Sequence, residues 1–588
     1  MLKNRAPELI ATMAMLVLPV QEGLTQELPV DTDAGSILRQ EEALKREDPA
    51  PLVGPEEQEP LPELTGIGEV RVEVREIEFT GATELVEAAS LESVVEEAIG
   101  RELDFEGLQA LAERVTRLLK EEGWVLARAL LPEQDVSDGV VTIEIMPGKL
   151  DVQGRAFRIE AVGARPLRIQ PTRLGAILTA LIPAGEPIRQ SDLDRAILLI
   201  NDLPGIDALA RLEAGEAPGT SHILLSVREG PIFASSVNAS NFGSRSTGQE
   251  RLGFTGNFND PLGMGEQLTL SATAADGLAL GQANLRYPIS PNGLAANVSL
   301  SQMEYEVINS DGPSELDGSS VTQAIGFTYP WLRSQSRNLN IGFDYSRDAL
   351  EDRIDGTAYS DKTVSYLGPS VSGDYTDQVF GPVGRTNFSI SPLWGDVDLP
   401  ALEGGQVQAD EFEVEGGFSK IEYSLSRLQS LGEGPMTVYA ELRGQLAGDN
   451  LDSSQSFQPG GSGGVRAYPG GEASGDEGHL FRTELRYQVP SDLIDLGSLR
   501  LSAFYDTAWV RLNDRLPEGV PVDTATGKNS YRIDGAGLGL TLSRGDWMTI
   551  SLTWATAIGD NPGRDVNGNN SDGRSDDHRA WLQAVVRL

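Results

Sequence analysis

The 588 residues carry 47 basic against 88 acidic side chains, a formal charge of −41, which argues against a general nucleic-acid binder because phosphate contacts need clustered Lys and Arg. Only 39% of residues are apolar and no window reaches the roughly 18 consecutive apolar residues of a spanning helix, so a helical membrane protein is excluded. A strand-built one is not, since barrel strands alternate in polarity and leave a mean hydropathy, here −0.22, close to that of a soluble protein.

The length calls for several domains. Cysteine is absent, which removes disulfides, thiol nucleophiles and thiolate metal sites and suits an oxidising compartment. At the N-terminus, Lys3 and Arg5 precede an apolar run from Leu9 to Val20 that is too short to span a bilayer. Residues 1–23 are expected to be a secretory signal peptide; a buried N-terminal helix is the alternative, since Glu8 abuts the run and no small-x-small cleavage site follows.

Residues 34–48 have the spacing of a short amphipathic helix, with Ile37, Leu38, Ala43 and Leu44 against Arg39, Glu41, Glu42, Lys45 and Arg46. Pro49, Pro51, Pro55, Pro60 and Pro62, interleaved with Glu56, Glu57, Glu59 and Glu63, make 49–69 an extended linker. A helix on a tether is the expectation.

Residues 70–150 read as strand, helix, helix, strand, strand: Val72 to Phe79, Leu91 to Ile99, Leu108 to Glu122, Val125 to Leu131 and Val140 to Met146. Residues 151–230 repeat the pattern, with Phe157 to Val162, helices near Thr172 to Leu181 and Ser191 to Asn201, then Leu209 to Glu213 and His222 to Arg228. Ser191 with Asp194 three residues on predicts a capping-box start. Two tandem α+β units of one small βααββ fold are expected.

From 231 to 588 the period changes to two. Leu268, Leu270, Ala272 and Ala274 alternate with Gln267, Thr269, Ser271 and Thr273; Met548, Ile550, Leu552 and Trp554 alternate with Thr549, Ser551 and Thr553. A soluble β-sandwich would alternate in the same way. At roughly 20 to 24 residues per strand and turn, the segment suggests about 16 strands, an even number that a closed membrane barrel accommodates. Closure satisfies every backbone donor and acceptor.

Several motifs in this framework are specific. Ala184-Gly185-Glu186-Pro187-Ile188-Arg189, Leu203-Pro204-Gly205 and Pro218-Gly219-Thr220 mark the second small unit, and Leu130-Leu131-Pro132-Glu133-Gln134-Asp135 marks the first. Asn241-Phe242-Gly243-Ser244-Arg245 opens the barrel, which also holds Gly464-Val465-Arg466-Ala467-Tyr468-Pro469 and Phe504-Tyr505-Asp506-Thr507-Ala508. Together they resemble the two-partner secretion transporters of the outer membrane, TpsB type, also called the haemolysin activator and secretion family. That family lies within the wider superfamily of barrels with POTRA (polypeptide-transport-associated) domains. The resemblance covers essentially everything after the linker. It departs at Ala467 and Ala508, where the superfamily often has glycine, and at the terminal Leu588, where an aromatic residue is common.

The resemblance implies periplasmic POTRA domains, a lumenal plug helix, and export of a dedicated large exoprotein recognised through its N-terminal secretion domain. Outer-membrane lipid and the barrel assembly machinery would be further partners. It places Val465, Arg466, Ala467 and Tyr468 on a loop folded into the barrel, with Arg466 meeting Asp506 on the strand that carries Phe504. Parity supports this independently: Leu499, Leu501, Ala503 and Tyr505 form an apolar face, leaving Phe504 and Asp506 on the lumenal one. A buried Asp506 needs a partner such as a guanidinium. Gly535, Gly537 and Gly539 would leave room for the loop. On the residues alone, an external loop with Arg466 in solvent remains the competing reading. An assembly insertase of the same superfamily, or a solute porin, are the functional alternatives.

Enzyme chemistry is not expected. Gly460-Gly461-Ser462-Gly463-Gly464 fits the nucleophile-elbow pattern without the strand and helix that motif needs, and His222, His479 and His578 have no triad or metal spacing. No phosphate-binding loop appears, so no cofactor or nucleotide is expected. Asp565, Asn567, Asn569 and Asp576 loosely echo a calcium loop, although Asn570 stands where the turn glycine should be. An acidic external loop is the favoured reading of that stretch.

Overall fold

The computed structural model describes residues 32–45 and 71–588, apart from 153–155, 164, 218, 309–314, 403–404, 491–496 and 523. The expected signal peptide (1–23) and linker (49–69) lie outside the described residues, as do 46–48 at the end of the expected tethered helix.

That helix runs Ala34–Ala43, shorter than expected. Asp33 starts it, its carboxylate accepting from Ser36 N at 2.7 Å, and Lys45 N–H closes back on the Glu42 carbonyl at 3.3 Å. This three-residue closure tightens the last turn and ends the helix before the proline-rich stretch.

In the first small unit, Val140–Met146 is the central strand, paired in parallel with Glu76–Gly81 and antiparallel with Arg128–Leu130. Helices Ala88–Val95 and Phe105–Glu121 cover one face. Leu108, Leu111, Val115 and Leu119 recur at helical spacing and bury against Val141, Ile143 and Ile145. The expected first strand is split, because Val72–Glu73 leaves to pair with Glu102–Leu103. The second unit repeats the plan around Thr220–Glu229, flanked by Phe157–Ala161 and Ile206–Ala214.

The expected capping box is not formed. The helix starts one residue early, at Gln190, with no side-chain cap. Gln190 N–H donates instead to Gly123 O of the first unit at 2.8 Å, and Arg189 stacks on Trp124 at 4.3 Å. Contact between the two units supplies what a local cap would have supplied.

Phe233–Ser240 through His578–Arg587 close into a sixteen-stranded antiparallel barrel, which rules out the sandwich. The closing seam is short: five residue pairs join the first strand to the last, extended by Asn241, whose side chain bonds Ala580 O and Leu582 N. The terminal Leu588 also contributes, through its N–H to Ser235 O at 2.8 Å. Leu270, Leu300, Phe343, Trp394, Leu538 and Leu552 stand exposed on the outer wall, a band of apolar side chains matched to hydrocarbon.

The second unit is bolted to one end of the barrel. Asp202 receives a two-pronged bond from Arg333 (2.7 and 2.9 Å), Arg173 donates to Pro288 O at 2.8 Å, and Arg195 donates to Pro330 O at 2.6 Å. All three contacts fall on the first half of the barrel, leaving the turns of the second half uncovered by them.

Candidate functional site in the barrel lumen

Strands Met436–Ala447 and Glu477–Gln488 are joined at the end opposite the small units by residues 448–476, and this connection folds inward. Glycine makes the path possible. Gly461 takes φ 91°, and a Cβ on Gly464 would lie 1.8 Å from Pro459 O. The loop tip is dry: Val465 is 0%, Ala467 1%, Tyr468 2% and Arg466 6% exposed. The competing reading, Arg466 in solvent, is therefore wrong.

Arg466 is held on every side. Its Nε and Nη2 donate to the two oxygens of Asp506, both at 2.8 Å, its Nη1 donates to Glu484 at 2.9 Å, and its backbone N–H donates to Asp506 at 3.2 Å. The guanidinium lies 3.4 Å above the Phe504 ring, and Trp581 Nε1 donates to the Arg466 carbonyl at 2.8 Å. Phe504 and Asp506 project from Ser498–Arg511 into the lumen, as parity requires.

Around this pair, Arg486 donates to Glu484 at 3.0 Å, Arg482 lies 3.7 Å from Asp506, and Arg482 also reaches Glu441 at 3.4 Å. Arg466, Arg482 and Arg486 thus face Asp506, Glu484 and Glu441, and a fourth guanidinium, that of buried Arg443, donates to Gly463 O at 2.7 Å. Such a cluster adds little net stability over an apolar core, but removal of one member leaves a partner stranded, at a cost of about 3–5 kcal/mol.

Of the three glycines expected to make room for the loop, Gly535 borders it, while Gly537 and Gly539 border Phe504 and Ser502 of the adjacent strand instead. A Cβ on Gly535 would lie 2.7 Å from Ala467 Cβ, and one on Gly537 would lie 2.5 Å from the Phe504 ring. Ala467, where the superfamily often has glycine, is accommodated because its neighbour Gly535 has no side chain.

Glu484 and Trp581 escaped the sequence reading. Both had a signal. Arg482, Glu484 and Arg486 form a charged period-two stripe, and Arg579, Trp581 and Gln583 share the lumenal parity of the last strand.

The helix Ala34–Ala43 also lies in the lumen. Ile37 and Leu38 pack against Leu280, Met303, Tyr305, Leu350 and Val364 on one wall. Its polar contacts run along its whole length. Ala34 N–H donates to Asp352 at 2.8 Å, Arg39 to Glu422 at 2.8 Å, and Gln458 to Ser36 O at 3.2 Å. Glu41 pairs with buried Arg251, and Ser453 donates to Asp33 at 2.7 Å.

The calcium candidates lie in the connection between the last two strands, which Asn561 and Ser571 bond to Glu472 of the inward loop. Asp565 accepts from Asn567 N at 2.9 Å and Asn569 N at 2.7 Å, closing a turn on itself, while the backbone carbonyl of Asp576 accepts from Asn570 at 3.0 Å. Among the described residues no three His, Cys, Asp or Glu side chains cluster as metal ligands would.

Residues 72–148 match the POTRA domain of ShlB type, and residues 219–540 match the haemolysin secretion/activation protein family ShlB/FhaC/HecB. The haem/haemopexin transporter protein HuxB of Haemophilus influenzae is 26% identical over 84% of this chain and 83% of its own length. The outer membrane transporter CdiB of Escherichia coli is 24% identical over 88% and 87%. The solved CdiB structure from Escherichia coli superposes with a TM-score of 0.68 at 21% identity, covering 94% of this chain and 95% of that one, a likeness of fold. A barrel closed around an anchored loop, with POTRA domains on its periplasmic side and a family model spanning more than half the chain, leads to one assignment: the chain belongs to the haemolysin secretion/activation family of outer-membrane transporters.

Proposed function

We propose that this transporter exports one dedicated large exoprotein as an unfolded chain, with the helix Ala34–Ala43 closing the lumen at rest and the Arg466 loop remaining as a fixed wall of the conduit. The observation that carries the reading is the contrast in how the two lumenal elements are held. One is gripped at a single dry point by a charge cluster around Arg466; the other is held by a small apolar face and by polar contacts spread along its length, of which Glu41 with Arg251 is a buried ion pair. The periplasmic units offer exposed sheet edges at Glu76–Gly81 and Ile206–Ala214. Strand addition there would hold the extended N-terminal secretion domain of the substrate through main-chain hydrogen bonds.

Export needs no nucleotide hydrolysis by this chain in this scheme. Outer-membrane lipid surrounds the barrel, and the assembly machinery inserts it. The four calcium-loop candidates are assigned to an external acidic loop; a calorimetric titration of the refolded barrel that shows calcium binding would reverse that assignment. Deleting the gene should remove one very large protein from the culture supernatant while leaving other secreted proteins in place. An unchanged supernatant would sink the proposal.

A further inference from the structure

One row of polar side chains lies on the wrong side of the barrel for export. Register pairs Tyr423 with Gly444, Gly444 with His479, His479 with Trp509 and Trp509 with Arg532, so the five positions form a line across five adjacent strands. All five face outward, with the same parity as the exposed Leu425, Leu442, Phe481 and Leu538 on those strands. Gly444 is the gap that joins the row: a Cβ there would lie 2.4 Å from the Tyr423 hydroxyl, which passes over it to reach His479.

The row has a defined donor pattern. Tyr423 bonds Nδ1 of His479, and the imidazole stacks on Trp509 with centroids 5.6 Å apart and planes 17° apart. In the neutral tautomer whose Nδ1 accepts from the phenol, the ring proton sits on Nε2. Arg532, whose side chain is 58% exposed, bonds Asp534 and Thr507 through Nε, and Asp534 and the Tyr505 hydroxyl through Nη2. Nη1 keeps the guanidinium's remaining donors. The motif recurs nearby: His578 Nδ1 lies 2.9 Å from Thr556 Oγ1 and its ring stacks on Trp554.

Polar N–H groups beside a hydrocarbon-facing surface are costly unless something accepts from them. A ligand that satisfies both features of this face has an anionic head for the His479, Trp509 and Arg532 donors and acyl chains for Leu425, Leu442, Phe481 and Leu538. A free phosphate satisfies only the first. The geometry points to a headgroup site here for a phosphate-bearing lipid of the outer leaflet, with His479 and Arg532 as its donors.

The test is thermal unfolding of the full chain in detergent micelles, titrated separately with a bisphosphorylated multi-acylated glycolipid, with the same lipid stripped of phosphate, and with inorganic phosphate. The phosphorylated lipid should raise the midpoint saturably. His479→Phe, which keeps the stack and removes the donor, and Arg532→Ala should each weaken that binding by about tenfold, roughly 1.4 kcal/mol. Arg532→Lys should restore much of it, and Leu300→Ala, on the outer face of a distant strand, should leave it unchanged. Equal stabilisation by the dephosphorylated lipid, equal stabilisation by inorganic phosphate alone, or wild-type binding in the H479F/R532A double variant would each overturn the assignment.

Discussion

The two elements that fill the lumen are held in opposite ways. The inward loop buries a charge cluster in which one guanidinium serves two carboxylates, with an aromatic ring beneath it and an indole N–H on its carbonyl. The helix buries Ala34, Ile37 and Leu38 and is otherwise held by polar contacts spread along its length, among them the buried Glu41–Arg251 ion pair and bonds linking Asp33 and Arg39 to the loop and to the wall. Full burial of an aliphatic side chain contributes about 1.5–3 kcal/mol, so withdrawing the helix costs its small apolar face and unpairs one buried cation, Arg251, whereas extracting Arg466 opens a network shared by Asp506 and Glu484. On the proposed reading, the difference separates a permanent wall from a removable stopper.

The largest expected effect breaks the permanent side. Arg466→Ala leaves Asp506 and Glu484 facing each other without their shared cation, at about 3–5 kcal/mol, and should abolish secretion. Arg466→Lys should rescue poorly, because an ammonium cannot span both carboxylates with a fork. Wild-type secretion by R466A and by Asp506→Ala would remove the loop from the mechanism. Next, deleting residues 34–43 should raise single-channel conductance in planar bilayers while the barrel still folds; an unchanged conductance would mean the helix is not the obstruction.

A smaller effect probes the fit between loop and wall. Gly535→Ala places a methyl 2.7 Å from Ala467 Cβ and should lower the unfolding midpoint through overpacking worth about 1–3 kcal/mol. The smallest is a pH effect in the loop outside the spanning strands. Burial pushes Asp476 up to about 7. A carboxyl raised in this way contributes stability that is complete below its unfolded value, near 3.8, and fades as pH rises through 7. Asp476→Asn should flatten that part of the stability profile between pH 4 and about 8.

Period-two alternation was enough to assign two faces to the sheet, and the parity of Asp506 was enough to turn it inward. Neither observation could close the barrel, because closure depends on pairing Phe233–Ser240 with His578–Arg587, residues more than 300 positions apart, through only five residue pairs. The Arg466–Asp506 pairing came from the motif resemblance, since residues 40 positions apart have no local periodicity to link them. Glu484 shows what stricter use of parity could have added. Two local expectations gave way to tertiary contacts. The Ser191 capping box lost to a hydrogen bond with the neighbouring unit and the first strand split to pair with Glu102–Leu103, whereas the helix in the lumen stopped at Ala43 through its own local closure.

The central claim is that the helix leaves while the loop stays, and the chain's lack of cysteine makes it directly testable. Ser453 on the loop donates to Asp33 at the head of the helix at 2.7 Å, so Asp33→Cys with Ser453→Cys should form a disulfide that ties the stopper to the wall. Secretion of the partner protein by this double variant should stop under oxidising conditions and return on reduction. Wild-type secretion with the cross-link intact would show that the substrate passes without displacing the helix, and would contradict the account.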